Sequence, residues 1–187
     1  RSEDNVGNYR LVPGKDIDDK LKTLLREKRL TPAVFFYCAW GILLQHYCGS
    51  DDVVFGVTVS GRSAPVKGIE DIVGLFINTL PLRVRAKKGE KATHLFDGIG
   101  ALLSAWEAHE STPLVDIKKY GGPETGEEFF DTLMVIENYP LDSRLKQGKA
   151  AGQLAFGAYS MYESTNYDVA VRITAAGDTD IAADIIY

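Results

Sequence analysis

The alternation of apolar and polar residues predicts an amphipathic helix near the start of the chain. Between residues 16 and 28, apolar side chains recur at helical intervals with lysine and aspartate between them, at Ile17, Leu21, Leu24 and Leu25. A short strand at residues 8–12, closed by a Pro-Gly turn, precedes this helix.

A second helix follows at once and has a different pattern. Thr31 is suited to cap its first turn, Pro32 to occupy its first position and Gly49 to end it after Tyr47. The residues between are apolar on nearly all sides. The pattern therefore predicts a central helix.

The next apolar runs predict two strands. Residues 53–60 are rich in β-branched side chains and apolar on both faces, which is typical of an interior strand. Residues 77–85 continue as a second strand, in which Pro81 indicates an edge position or a bulge. Between them, residues 61–67 form a loop and residues 68–76 have room for a short helix.

The second half of the chain alternates similarly. Thr93 is expected to cap a long helix that reaches about His109, and Thr112-Pro113 starts a shorter one. Residues 121–127 and 143–152 are polar loops, and further strands are predicted at 130–136, 153–162, 167–175 and 179–187, with a turn at 177–178. The expected fold is a single α/β domain over residues 1–187, an α+β two-layer sandwich in which helices cover a mixed sheet.

Composition narrows the functional classes. With 187 residues, 45% hydrophobic and 25% charged, the chain has the balance of one globular domain. Its net charge of −5 argues against nucleic acid as a partner. Its longest apolar run, residues 32–44, is too short to cross a bilayer. The chain begins without methionine and ends within a predicted strand, so we expect an excised piece of a longer polypeptide.

The two cysteines are expected to be free, buried thiols. Cys38 and Cys48 lie in one helix, and ten residues of helix rise about 15 Å, whereas a disulfide needs Cα atoms within about 7 Å. Free thiols are consistent with a reducing cytoplasm.

No set of residues predicts catalysis by itself. His46 is expected to be packed or hydrogen-bonded, His94 solvated and His109 a helix-end cap, and the three histidines have no metal-ligand spacing. The sequence contains neither a Gly-x-Ser-x-Gly elbow nor a Walker loop. Residue patterns alone therefore indicate an α/β lobe of no particular activity.

Five segments nevertheless occur in the order of a known family. Residues 53–62 end in Ser-Gly-Arg, and residues 73–83 read Val-Gly-Leu-Phe-Ile-Asn-Thr-Leu-Pro-Leu-Arg. Residues 109–114 read His-Glu-Ser-Thr-Pro-Leu, residues 130–141 contain Phe-Asp and Glu-Asn-Tyr-Pro, and residues 162–168 read Tyr-Glu-Ser-Thr-Asn-Tyr-Asp. In these segments the chain resembles the C-terminal half of a condensation domain from a nonribosomal peptide synthetase.

The chain departs from that family in its catalytic motif. The family's His-His-x-x-x-Asp-Gly lies N-terminal to everything present here, and no two histidines adjoin in this sequence. The usual seventh motif is replaced by an acidic stretch at residues 122–128. The resemblance therefore implies no catalytic residue and no metal ligand in this chain.

The resemblance implies one lobe of a chloramphenicol-acetyltransferase-like fold, in which two lobes meet in a V. The family joins amino acids held on carrier proteins, and the amine of the acceptor attacks the thioester of the donor. Expected partners are the N-terminal lobe of the same domain, the donor and acceptor peptidyl carrier proteins and the adjacent adenylation domain, without nucleic acid or membrane. No cofactor is expected to bind directly, since the substrates arrive on phosphopantetheine arms.

The segment from Ser60 to Thr79 is the best candidate for the wall of the substrate tunnel, because a loop rich in small residues can approach it closely. Candidates for the tunnel or lobe junction are Ser60, Gly61, Arg62, Gly74, Phe76, Asn78, Thr79, Asn138, Thr165 and Asn166.

For each of these polar side chains a structural role stays open. Asn78 either braces the backbone or holds a substrate amide, and Arg62 and Arg83 either pair with an acid or reach the other lobe. The whole chain has three alternative interpretations: a carrier-docking lobe without catalysis, a degenerate structural lobe, and an epimerisation or cyclisation domain. The Phe-Ile-Asn-Thr stretch at residues 76–79 favours a condensation domain over an epimerisation or cyclisation domain.

Overall fold

The computed structural model describes residues 6–63, 66–121, 128–137, 165–175 and 181–187. Within these residues the chain forms six strands, four α-helices and a 3-10 turn at Ile69–Asp71. The strands are β1 (Asn8–Leu11), β2 (Asp52–Val59), β3 (Asn78–Arg85), β4 (Thr132–Glu137), β5 (Val169–Thr174) and β6 (Ala182–Ile186). The helices are α1 (Lys15–Lys28), α2 (Pro32–Cys48), α3 (Ala92–Trp106) and α4 (Leu114–Gly121).

The six strands form one mixed sheet in the order β1-β6-β5-β4-β2-β3. Strands β2, β4 and β5 run parallel to one another, while β3, β6 and β1 pair antiparallel to their neighbours. The predicted interior position of β2 is confirmed. Strand β3 lies at an edge of the described sheet, which is one of the two positions that Pro81 indicated.

The core lies between one face of this sheet and the helices α2 and α3. Alternate residues of the strands face the helices, and Phe55, Leu82 and Met134 are almost completely buried there. Val34, Tyr37 and Cys38 from α2 and Leu95 and Ile99 from α3 complete the core. The expected arrangement of helices covering a mixed sheet is thus confirmed.

The signals at the ends of α2 are confirmed. The Thr31 hydroxyl accepts a hydrogen bond from the Val34 N–H at 3.3 Å, and Gly49 ends the helix in the left-handed region at φ 62°. The expected cap of α3 is wrong, since Lys91 holds the cap position and Thr93 lies inside the helix. That helix ends at Trp106, short of His109.

Helix α2 is less enclosed than its composition predicts. Its inner side is buried, but Ile42, Leu43 and Tyr47 are exposed on the other side. Cys48 is exposed as well, which corrects its expected burial. His46 is also exposed, with its ring edge-on to that of Tyr47 at a centroid distance of 6.0 Å. The reason is that the described part of the chain packs against the inner side of this helix and leaves its outer side uncovered. Both thiols are free, as expected.

Some predicted elements lie outside the described residues, namely the strand at 153–162, the loops at 122–127 and 143–152 and the turn at 177–178. The helix expected within residues 68–76 is reduced to the 3-10 turn. The predicted strand at residues 130–136 is β4, and it begins two residues later than expected.

Candidate functional site

The segment from Ser60 to Ile77 is the connection between the paired strands β2 and β3. Val59 pairs with Asn78 at the last rung of their antiparallel ladder, so the chain leaves and re-enters the sheet at adjacent points. Seven of the ten candidate residues therefore lie in this connection or on the first two residues of β3: Ser60, Gly61, Arg62, Gly74, Phe76, Asn78 and Thr79.

Gly61 brings the two ends of the connection into contact. Its backbone lies in the left-handed region at φ 65°, and a Cβ atom at this position would stand 1.9 Å from the carbonyl oxygen of Phe76. Any larger residue would therefore push the two ends apart, and glycine also adopts this φ without strain.

Arg62 organises the middle of the connection. Its guanidinium donates to the carbonyl oxygens of Ile69 and Ile72, the latter at 3.1 Å, and lies 4.4 Å from the centre of the Phe76 ring. Among the described residues Arg62 donates to backbone carbonyls and makes no ion pair with an acid. The alternative, that Arg62 reaches the other lobe, stays a prediction. Arg83 does pair with an acid, since its Nε lies 2.7 Å from Oδ1 of Asp52.

Asn78 ties the connection to the turn between α3 and α4. Its Nδ2 donates to the carbonyl oxygens of Glu110 and Thr112, both at 2.8 Å, and its Oδ1 accepts from the Thr79 N–H at 2.9 Å. Both ends of the amide are thus engaged with backbone groups. Two of the five segments noted in the sequence, residues 73–83 and 109–114, meet through this one side chain.

The last part of the connection exposes apolar side chains. The side chains of Val73 and Leu75 are 100% and 97% exposed, and Ile77 is 66% exposed. Phe76, between Leu75 and Ile77, is partly buried beneath Arg62. Apolar residues held outward on a well-anchored segment are typical of a surface that another chain or domain covers.

The remaining candidates do not join this group. Thr165 accepts a hydrogen bond from the Tyr167 N–H at 3.1 Å in a local turn, and Asn166 is exposed. Gly56 pairs with Leu133 and Leu133 with Ala170 in parallel register, which places Ser60 beside the C-terminal ends of β4 and β5. Thr165 and Asn166 precede β5, at the opposite end of the sheet. Asn138 lies outside the described residues.

The structure also shows partners that the sequence could not identify. The carbonyl oxygens of Glu110 and Thr112 hold Asn78, although they lie 32 and 34 residues further along the chain. The only local signal was the Thr-Pro pair that precedes α4, and it predicts a helix start without naming a contact.

The described residues contain no group of three or more histidines, cysteines or carboxylates that could hold a metal ion. Burial raises the pKa of the Cys38 thiol to about 12, so this sulfur stays protonated and is a poor nucleophile near neutral pH. His94 and His109 are exposed, as is His46.

No helix among the described residues combines the length and the apolar character needed to cross a membrane.

Comparison with protein families gives a match over nearly the whole chain. A family model described as Condensation domain matches residues 5–187. Gramicidin S synthase 2 of Brevibacillus brevis is 34% identical over 178 residues, which is 94% of this chain and 4% of that protein. Tyrocidine synthase 2 of Brevibacillus parabrevis is 36% identical over 167 residues, or 88% of this chain and 5% of that protein. The chain thus spans a small part of these long relatives.

Solved structures share the fold. A four-domain nonribosomal peptide synthetase bound to AMP and glycine superposes with a TM-score of 0.81 at 12% identity, covering 97% of this chain and 15% of the other. The condensation domain of the Monacolin K polyketide synthase gives a TM-score of 0.73 at 20% identity and covers 97% and 41%. These likenesses confirm the expected fold class, and the family match confirms the resemblance noted in the sequence. The chain belongs to the condensation-domain family of nonribosomal peptide synthetases.

Proposed function

We propose that this chain is the C-terminal lobe of a condensation domain and forms one wall of the site in which two carrier-bound amino acids are joined. The observation that carries this proposal is the Ser60–Thr79 segment. It presents Val73, Leu75 and Ile77 outward, while Gly61, Arg62 and Asn78 fix its position from within. Such a surface is suited to meet a second lobe.

In the proposed reaction the amine nitrogen of the acceptor attacks the carbonyl carbon of the donor thioester. The carbon–nitrogen bond forms, the carbon–sulfur bond breaks, and the donor's phosphopantetheine arm leaves as the thiol. The amine loses a proton to a base that we place in the N-terminal lobe, with its His-His-x-x-x-Asp-Gly motif. This chain holds no adjoining histidines and is not assigned that step.

The contribution of this chain is position and exclusion of water. Holding the amine near the thioester converts a bimolecular encounter into a reaction within one complex. In well-oriented systems this lowers the activation barrier by up to roughly 7–11 kcal/mol. An apolar wall also keeps water from hydrolysing the thioester. The proposed partners are the N-terminal lobe, the donor and acceptor carrier proteins and the adjacent adenylation domain, in the cytoplasm.

Two preparations test this proposal. The isolated chain, incubated with loaded donor and acceptor carriers, is expected to form no dipeptide above background, because it lacks the base. A chimera of tyrocidine synthase 2, in which this chain replaces the matching segment, is expected to form peptide. Turnover by the isolated chain would contradict the division of labour. A folded but inactive chimera would favour the alternatives, a carrier-docking lobe without catalysis or another type of domain in the superfamily.

A further inference from the structure

A groove lies beside the open edge of the sheet and is not part of the segment described above. It has a volume of about 370 Å³ and runs between strand β3, the end of α3 and helix α4. Its walls include Leu80, Pro81, Trp106, His109, Ile117 and Tyr120. This volume falls within the roughly 300–1,000 Å³ of typical small-ligand sites.

The chemistry of the walls selects a neutral, apolar guest. Leucine, proline and isoleucine supply aliphatic surface, and Trp106 and Tyr120 supply two aromatic rings. Among the residues that the structure describes, no lysine, arginine or carboxylate lines the groove, so these walls offer no counter-charge to an ion. His109 and Thr112 place a small number of polar groups at the wall, as is usual where a site fixes the orientation of its ligand.

The groove adjoins the candidate tunnel wall. The Thr112 carbonyl that accepts from Asn78 belongs to a residue that lines the groove, and Leu80 follows Asn78 by two positions on the same face of β3. A ligand held near Asn78 would therefore need to extend only a short way along β3 to enter the groove.

An added β-strand is a poor guest for the same place. Although β3 is an edge strand in the described sheet, Pro81 lacks the N–H that a continuous new ladder would require. A compact side chain needs no such ladder.

We propose that this groove receives the side chain of one of the carrier-bound amino acids and selects for large apolar or aromatic groups. The inference rests on the proposed function and adds a substrate class to it. In this arrangement the Asn78 contact keeps the turn at residues 110–112, and with it His109 and Thr112, in place against β3.

Binding to the isolated chain tests the groove directly. The probes are the N-acetylcysteamine thioesters of phenylalanine and alanine, titrated against ¹⁵N-labelled protein. We expect the phenylalanine thioester to bind on the order of tenfold more tightly, since apolar pockets discriminate by such factors, and to shift the resonances of residues 106–121. Ile117→Trp, which fills the groove, is expected to abolish this preference. Val115→Trp is the matched control, because Val115 lies on the same helix, is 61% exposed and is not a lining residue.

Equal affinity for the two thioesters, or an equal effect of the two tryptophan variants, would overturn the proposal. If another segment or a second copy of the chain fills the groove, neither thioester will shift these resonances, and that result also overturns it.

A second measurement separates this inference from the proposed function. In the tyrocidine synthase 2 chimera, Ile117→Trp should lower peptide formation with a phenylalanyl substrate at least about tenfold relative to an alanyl one. If the chimera is active and Ile117→Trp leaves its preference for the phenylalanyl substrate unchanged, only the groove proposal is contradicted. If the chimera is inactive with every substrate, only the proposed function is contradicted, and the thioester titration of the isolated chain then tests the groove proposal.

Discussion

The ring of Phe130 occupies the space that a side chain at Gly56 would need. A Cβ atom on Gly56 would lie 2.3 Å from Cε2 of Phe130, whose ring in turn stacks on Tyr167 with centroids 5.4 Å apart. We expect Gly56→Ala to lower the free energy of unfolding by about 1–3 kcal/mol, the usual cost of overpacking. The control is Gly98→Ala in α3, where a Cβ meets no atom within 4 Å; it should be neutral or stabilise by up to about 1 kcal/mol. Urea unfolding of both variants makes the comparison, and equal losses would contradict this account.

Asn78 illustrates how a polar residue of a family motif can serve the backbone. Its amide makes three hydrogen bonds to backbone groups, at 2.8, 2.8 and 2.9 Å. We therefore expect Asn78→Ala to lower the free energy of unfolding by roughly 1–3 kcal/mol, because two carbonyls lose their donor. In the chimera, turnover per folded molecule should change little. Thermal unfolding and single-turnover peptide formation on the same variant provide the measurement. A rate loss of tenfold or more at an unchanged melting temperature would instead assign Asn78 to substrate binding.

At the scale of elements, the β2–β3 ladder has an acid-sensitive end. Asp52 accepts from Arg83 and from Arg85, at 2.7 Å and 2.9 Å for the two Nε atoms, and the hydrogen bond from Arg83 is the main reason that its pKa falls from 3.8 to about 2. Because the pKa is lower in the folded state, this carboxylate stabilises the fold above about pH 4, and the stabilisation is lost as the pH falls toward 2.

The variant Asp52→Asn should remove that part of the pH dependence. We expect its free energy of unfolding to fall less steeply than that of the wild type between about pH 4 and pH 2, and the difference to shrink in high salt because all three side chains are at least partly exposed. Urea unfolding at a series of pH values checks this. Parallel curves for the two proteins would show that the ion pairs leave stability unaffected.

Elements differ in how far their sequence predicts them. The ends of α2 follow from local chemistry, since Thr31, Pro32 and Gly49 act within one turn of the helix. Its exposed side does not, because a helix that is apolar all round has no polar stripe to mark which side faces outward. For this reason Cys48 was expected to be buried and is exposed. The start of α3 was misplaced because Lys91 holds the cap position without a side-chain hydrogen bond to mark it.

At the scale of the whole molecule, the sequence predicts a layer of helices on a mixed sheet but does not predict the order of the strands in that sheet. Runs of β-branched residues identify β2 and β5 as strands, but their separation by β4 depends on pairing between segments far apart in sequence. The candidate site shows the same limit. Family motifs pointed to the Ser60–Thr79 segment, whereas the Asn78 contact with residues 110–112 and the opposite position of Thr165 required the folded chain.

The exposed apolar segment leads to a prediction about association. Val73 and Leu75 are almost fully exposed beside Ile77, and an apolar patch of this kind tends to cover itself when no partner is present. We expect the isolated chain to form reversible dimers at high concentration, detected as a rising weight-average mass in sedimentation equilibrium. The double variant Val73→Ser and Leu75→Ser should weaken this association at least about tenfold, and because both side chains are exposed its melting temperature should hardly change.

The outer side of α2 supplies the matched control for this test. Ile42→Ser with Leu43→Ser removes the same number of exposed apolar side chains at 47% and 43% exposure, from a helix rather than from the connection between β2 and β3. If association depends on the proposed lobe-junction surface, this control keeps the wild-type dimerisation constant. A strictly monomeric wild type over a wide concentration range would contradict the prediction. Loss of association in the α2 variant alone would move the interface to that helix and weaken the case that residues 72–77 meet a second lobe.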